Sequence, residues 1–97
     1  MENIVPGMMA RSRAGRDKGS LYLIMKTEGE YVYLTDGVRR PLAKPKKKKY
    51  RHIQIIKQVP ENWDPDRISD DNVKRMLKEY EKKSANLNLI KVEGKNV

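Results

Sequence analysis

The sequence predicts a mainly β chain, a small antiparallel barrel followed by one C-terminal amphipathic α-helix. Three observations carry this reading. Short β-forming runs alternate with turn residues before residue 57, an apolar stripe at helical spacing follows residue 68, and the excess positive charge is confined to the strand-rich part. With 97 residues the chain holds one small domain and an appendage, too little for two full cores. The expected division is a barrel over 1–56, a linker over 57–68, a helix over 69–86 and a tail over 87–97.

Taken in order, Gly7 to Ser12 reads as a moderately apolar first strand, and Arg13 to Gly19 as a charged loop with two glycines. Leu21 to Lys26 is rich in β-formers, Glu28-Gly29-Glu30 is a turn, and Tyr31 to Thr35 is a second clear strand closed by Asp36-Gly37. These two runs and their short link predict a hairpin. Successive strand side chains point to opposite sides. Val32 and Leu34 therefore share one face and Tyr31 and Tyr33 the other. Leu21, Leu23 and Met25 lie opposite Tyr22 and Ile24. Leu23, Val32 and Leu34 are the expected core. Val38 to Leu42 is expected to add a short strand limited by Pro41, and His52 to Ile56 a last one.

Lys57 to Arg67 holds Pro60 and Pro65 among Asn62, Asp64 and Asp66, a linker composition, with Trp63 expected to anchor it to the barrel or the helix. The helix has a complete start signal. Ser69 is the N-cap, Asp70 and Asp71 place negative charge at the positive end of the dipole, and Ile68 and Val73 are spaced as a hydrophobic staple. Val73, Met76, Leu77 and Tyr80 form the apolar stripe, and Lys74, Arg75, Lys78, Lys82 and Lys83 leave the rest polar. Fraying is expected near residues 84–86. Beyond it, Leu87 to Val92 alternates weakly and reads as an extended segment or a disordered end.

Charge narrows the function. The chain carries a net +9, with 13 Lys+Arg against 5 Asp+Glu in residues 1–56 and 9 against 8 in residues 57–97. Such asymmetry suits a polyanion partner for the first half. There are no cysteines, which excludes disulfides and thiolate metal sites and fits a reducing compartment. The N-terminal residues show no basic leader followed by a long apolar stretch, so no signal peptide is expected. The longest apolar run, Leu21 to Met25, falls far short of the roughly 20 residues that span a bilayer. The expected setting is cytoplasmic, with no membrane partner. His52 is the only histidine, and neither a Ser-His-Asp pattern, a phosphate-binding glycine motif nor a cluster of metal ligands accompanies it. No catalytic residue, metal or cofactor is therefore expected, and the chain does not read as an enzyme.

The stretch Gly7-Met8-Met9-Ala10-Arg11-Ser12-Arg13-Ala14-Gly15-Arg16-Asp17-Lys18-Gly19 resembles a KOW motif, with its Ala-Gly-Arg-Asp-Lys-Gly core and the apolar strand Leu21 to Met25 after it. Asp36-Gly37-Val38-Arg39-Arg40 and the lysine-rich approach to Arg51-His52-Ile53 resemble the ribosomal-protein branch of that family, found as RNA-binding proteins of Gram-positive bacteria. The resemblance covers roughly residues 4–56. It implies an SH3-like barrel that binds RNA, often ribosomal RNA or a ribosomal partner such as the large subunit, with the loop around Gly15 as the contact surface. Met8-Met9-Ala10 is less β-branched than that pattern, and Lys46-Lys47-Lys48-Lys49 is denser.

The residues support the same contact on physical grounds. Gly15 and Gly19 allow a tight loop close to a phosphate backbone. Arg13, Arg16 and Lys18 project from it, where arginine makes paired hydrogen bonds to phosphate oxygens. Arg11, Arg39, Arg40, Lys44, Lys46, Lys47, Lys48, Lys49 and Arg51 complete the expected RNA-binding set, although a lysine run alone also reads as a solvated segment. Asp17, acidic within a basic loop, is expected to fix that loop by accepting backbone or arginine hydrogen bonds. Tyr22, Tyr31, Tyr33 or Tyr50 offer stacking surfaces for unpaired bases but read first as sheet aromatics. The expected function is RNA binding, with ribosomal RNA foremost, as a ribosome-associated or assembly-related factor. The rival is a protein-interaction module of the transcription or translation machinery, because small barrels are a shared scaffold.

Overall fold

The computed structural model describes the backbone of residues 3–96 and the side chains of residues 3–85. The chain is mainly β. Strands β1 (Met9–Ser12), β2 (Leu21–Glu28), β3 (Tyr31–Thr35), β4 (Lys46–Lys49) and β5 (Ile53–Ile56) form one antiparallel sheet, followed by helix α1 (Asp70–Asn96). The strand order is β4-β3-β2-β1-β5. The two edge strands, β4 and β5, are consecutive in sequence and joined by a single 3-10 turn, Tyr50–His52. No ladder joins them, so the sheet is not closed, yet a three-residue connection between opposite edges requires it to curl strongly.

Curling gives the sheet two buried faces. On one, Ala10, Tyr22, Ile24, Val32, Leu34 and Ile53 meet inside the curl. On the other, Met9, Leu21 and Leu23 are covered by Val73, Met76 and Leu77 of α1. Leu23, Val32 and Leu34 are all fully buried, but they lie on opposite faces rather than in one core. The β2–β3 hairpin is present, running from Leu23 opposite Thr35 to Glu28 opposite Tyr31. Its register shifts between Ile24 and Lys26, and this irregularity removes Met25 from the strict alternation.

The first strand is shorter than expected as a ladder. Gly7 and Met8 nevertheless continue the pairing, since the Gly7 N–H donates to Ile24 O at 2.9 Å and Met8 O accepts from Ile24 N–H at 2.8 Å. The indole of Trp63 lies directly on Gly7, where a Cβ would come within 2.7 Å of Nε1. Trp63 thereby ties the segment after β5 to the helix-covered face. No helix or strand intervenes between Ile56 and Asp70, as the linker composition predicts.

Three expected elements differ. Val38 to Leu42 is a turn, not a strand, because the Asp36 carboxylate captures the amides a ladder needs. Its Oδ1 accepts the N–H groups of Val38 (2.9 Å) and Arg40 (2.8 Å), while Leu42 N–H donates to Asp70 Oδ1 at 2.8 Å. Gly37 makes this docking possible: at φ 77° it sits so close to Asp70 O that any Cβ would collide with helix backbone. His52 belongs to the 3-10 turn rather than to β5, which begins at Ile53. Lys46–Lys49, expected as a charged patch, is itself a strand paired with Tyr31–Leu34.

Helix α1 starts as expected. Ser69 Oγ accepts the Asn72 N–H at 3.2 Å and donates to Asn72 Oδ1 at 2.8 Å, and Ile68 packs against the cluster containing Val73. The helix then runs to Asn96 instead of ending near residue 86. No proline interrupts residues 70–96, and the only glycine there is Gly94, so the weak alternation of 87–92 has no breaker to enforce it. Burying Val73, Met76 and Leu77 contributes roughly 1.5–3 kcal/mol apiece before entropy, so docking on the sheet is what holds the first half of the helix.

Candidate nucleic-acid interface

The loop between β1 and β2 is built around Asp17. Its turn is closed by the Gly19 N–H donating to Ser12 O (2.9 Å) and the Ser20 N–H donating to Asp17 O (2.8 Å). Gly15 (φ 87°) and Gly19 (φ 93°) both occupy the left-handed region that the tight path requires. The loop also continues the pairing of β1 with β5, because the Arg13 N–H donates to His52 O at 2.8 Å.

The Asp17 carboxylate points inward and is saturated. Oδ1 accepts from Lys48 Nζ and from the Ser12 hydroxyl, each at 2.9 Å. Oδ2 accepts from the Tyr22 hydroxyl and from Lys46 Nζ, each at 2.8 Å. Lys48 Nζ further donates to Ser12 Oγ (2.6 Å) and Ala14 O (2.8 Å), so all three ammonium protons are engaged. Burial by itself pushes the Asp17 carboxyl up. The four hydrogen bonds from Lys46, Lys48, Tyr22 and Ser12 outweigh it and hold the group well below the usual carboxylate range. Tyr22 is pushed up to about 12, first by burial and then by its bond to Asp17, with Arg40 opposing from nearby. This clasp joins the β1–β2 loop, β2 and the edge strand β4 across the curl.

The clasp divides the expected RNA-binding residues. Lys46 and Lys48, with side chains 26% and 11% exposed, serve as structural cations for Asp17. Lys47 points the other way and lies over the Tyr31 ring, 4.5 Å from its centroid, and more distantly over Tyr33. Lys49 is half-buried opposite Tyr31 in the ladder. Arg11 turns towards the helix, pairing with Glu81 Oε1 at 2.6 Å while it donates to Gly19 O at 2.9 Å. Arg13, Arg16, Lys18, Arg39, Arg40, Lys44 and Arg51 are exposed, with no ion-pair partner among the described residues. Gly15 is exposed at the loop tip.

The structure thus brings Arg13, Arg16 and Lys18 together with Arg51, which sits in the turn that Arg13 contacts. The loop's one acid is withdrawn beneath them. The roles of Ser12, Tyr22 and Glu81 were not foreseen. The strand pairing of Lys46–Lys49 is the signal that would have found the first two, since alternation sends Lys46 and Lys48 to one side and Lys47 and Lys49 to the other. No protein-family model matches the chain, and no curated protein matches it. Among the described residues no helix is long and apolar enough to cross a membrane.

Proposed function

We propose that this chain binds RNA, ribosomal RNA foremost, through the exposed face of its β1–β2 loop, on a sheet curled as an SH3-like barrel of the KOW kind. The barrel reading is supported by the β4-β3-β2-β1-β5 order, the 3-10 link between the edge strands and the Asp17 clasp that bridges the curl. The functional reading rests on one observation: the only carboxylate of the loop faces inward with every acceptor position filled, leaving Arg13, Arg16 and Lys18 exposed and unopposed. Three outward cations around a single buried anion suit a loop that meets a phosphate backbone, because each neutralised phosphate releases counterions and favours binding at moderate salt. The mechanism is electrostatic capture followed by positioning, with no bond made or broken, in the role of a ribosome-associated or assembly-related factor.

Fluorescence anisotropy with a labelled ribosomal RNA fragment tests this. The wild-type chain is expected to bind with a steep salt dependence. The R13Q/R16Q/K18Q variant should bind far more weakly, with the slope of log K against log salt shallower by about 2 for single-stranded contacts. Equal binding by the variant removes the loop from the interface. No RNA binding by the wild type, together with capture of a protein from the translation or transcription machinery, favours the interaction-module reading. In cell lysates, sedimentation with large ribosomal subunits at low salt and release at high salt is the expected pattern.

A further inference from the structure

Helix α1 covers the sheet with its apolar stripe. Its outer surface carries a different feature. Lys74, Lys78 and Lys82 recur every four residues and so form a single row along the helix, about 6 Å apart in rise. All three are exposed and have no ion-pair partner among the described residues. The two acids that line the groove beside this row are engaged elsewhere. Glu81 is paired with Arg11, and Asp36 holds the 36–40 turn through two backbone amides. The near-neutral balance of residues 57–97 therefore conceals a row of three exposed lysines, with Asp70 and Asp71 confined to its N-terminal end.

This row borders an open groove of about 620 Å³ lined by the exposed Val38 and by the edges of the buried Leu21 and Leu77. Val38 is 62% exposed, the most exposed large apolar side chain described, at the tip of the turn that docks on the helix. The groove continues to Ser20, next to Gly19, where the Arg11 guanidinium links the helix to the β1–β2 loop. Lys18, Gly19 and Ser20 thus form the shared border between the loop and the groove.

We propose that this groove is a second RNA-contact region, holding an unpaired segment of the RNA that the loop captures, with phosphates along Lys74, Lys78 and Lys82 and a base against Val38, Leu21 and Leu77. This rests on the RNA-binding reading above and extends it to a class of target, an RNA with unpaired nucleotides beside the loop contact. Charge complementarity favours a polyanion, since the rim is cationic and its acids are occupied. The apolar lining favours an unstacked base, because a duplex keeps its bases away from such a surface. The row's continuity with the loop through Ser20 favours one ligand on both.

The test uses the full chain, a fluorescein-labelled mixed-sequence single-stranded RNA 16-mer, and the same strand annealed to its complement. K74Q/K78Q/K82Q keeps good helix formers at exposed positions and is checked by thermal unfolding. It is expected to weaken single-strand binding on the order of tenfold and to flatten the salt slope by about 2. Val38→Ser is expected to weaken the single strand selectively and leave the duplex unchanged. If the loop variant weakens binding while the helix triple variant matches the wild type in affinity and slope, the groove proposal fails and the loop reading stands. If the wild type binds neither RNA, the RNA reading itself fails. Duplex binding as tight as single-strand binding, or equal binding of a polyglutamate peptide, overturns the unpaired-RNA assignment.

Discussion

The loop Arg13–Lys18 and the strand Lys46–Lys49 are the two most basic stretches of the first half, yet they put their charge to different uses. The loop has one acid among its cations, and that acid turns inward, so the cations face solvent. The strand has no acid at all, but two of its four lysines are drawn across the curl to the loop's Asp17, and a third lies on tyrosine rings. The denser charge run is therefore the poorer supplier of free charge. Linear density counts ammonium groups, whereas availability to a ligand depends on whether each proton already has an acceptor.

That comparison is broken most severely at Asp17. Asp17→Ala leaves Lys46 and Lys48 facing each other in a largely desolvated clasp, and a loss of about 2–4 kcal/mol is expected, scaled below the fully buried case because both lysines keep some exposure. For a domain of this size the melting temperature should fall by more than about 10 °C. An unchanged melting temperature would mean that the clasp does not hold the curl.

Acid titration sharpens the same point. The folded-state pKa of Asp17 is depressed, so its contribution is fully present above the unfolded value near 4 and disappears as pH falls through the lower folded value. Chemical denaturation between pH 5 and pH 2 should show wild-type stability falling faster than that of Asp17→Asn. Parallel curves would remove the carboxylate from the explanation.

Within the strand, alternation predicts unequal neighbours. Lys48→Met should cost about 1–3 kcal/mol, because it strips donors from Asp17, Ser12 and Ala14 together. Lys47→Met should cost under about 1 kcal/mol, the scale of an exposed cation–π contact. Urea denaturation of the two variants decides the order, and reversed costs would contradict the facing assigned to β4. Tyr22→Phe is expected to cost about 1 kcal/mol at neutral pH. Because the Tyr22 pKa is raised to about 12, its share of stability holds below about pH 10 and is lost as pH rises through the folded value. The variant should consequently lose less stability than the wild type over that alkaline window. Smallest of all, Glu81→Gln should change stability by less than about 1 kcal/mol, since the pair with Arg11 is screened by solvent.

Much of the architecture was legible locally. The Tyr31–Thr35 strand, the β2–β3 hairpin and the Ser69 cap with its Ile68 contact are encoded by neighbours a few residues apart, where alternation, turn chemistry and helix-end chemistry operate. The burial of Leu23, Val32 and Leu34 was legible for the same reason, whereas the donors to Asp17 are the Lys46, Lys48, Tyr22 and Ser12 side chains rather than the backbone amides or arginines expected. The failures share a different cause. Lys46–Lys49 has poor strand propensity, and it is a strand because Tyr31–Leu34 offers it a ladder and Asp17 an anion. Val38 to Leu42 had strand-like residues, but Asp36 and Asp70 took its amides.

By itself, then, the sequence determined a β-rich first half, a capped helix and an asymmetric positive charge, all properties of short windows. Tertiary structure alone decided that the sheet has two buried faces, that Lys46, Lys48 and Arg11 are bound to carboxylates, and that Lys74, Lys78 and Lys82 border an apolar groove. The physical reason is range. Backbone preference and capping act over a few residues, whereas an ion pair such as Arg11–Glu81 joins positions 70 apart and exists only once the chain has folded.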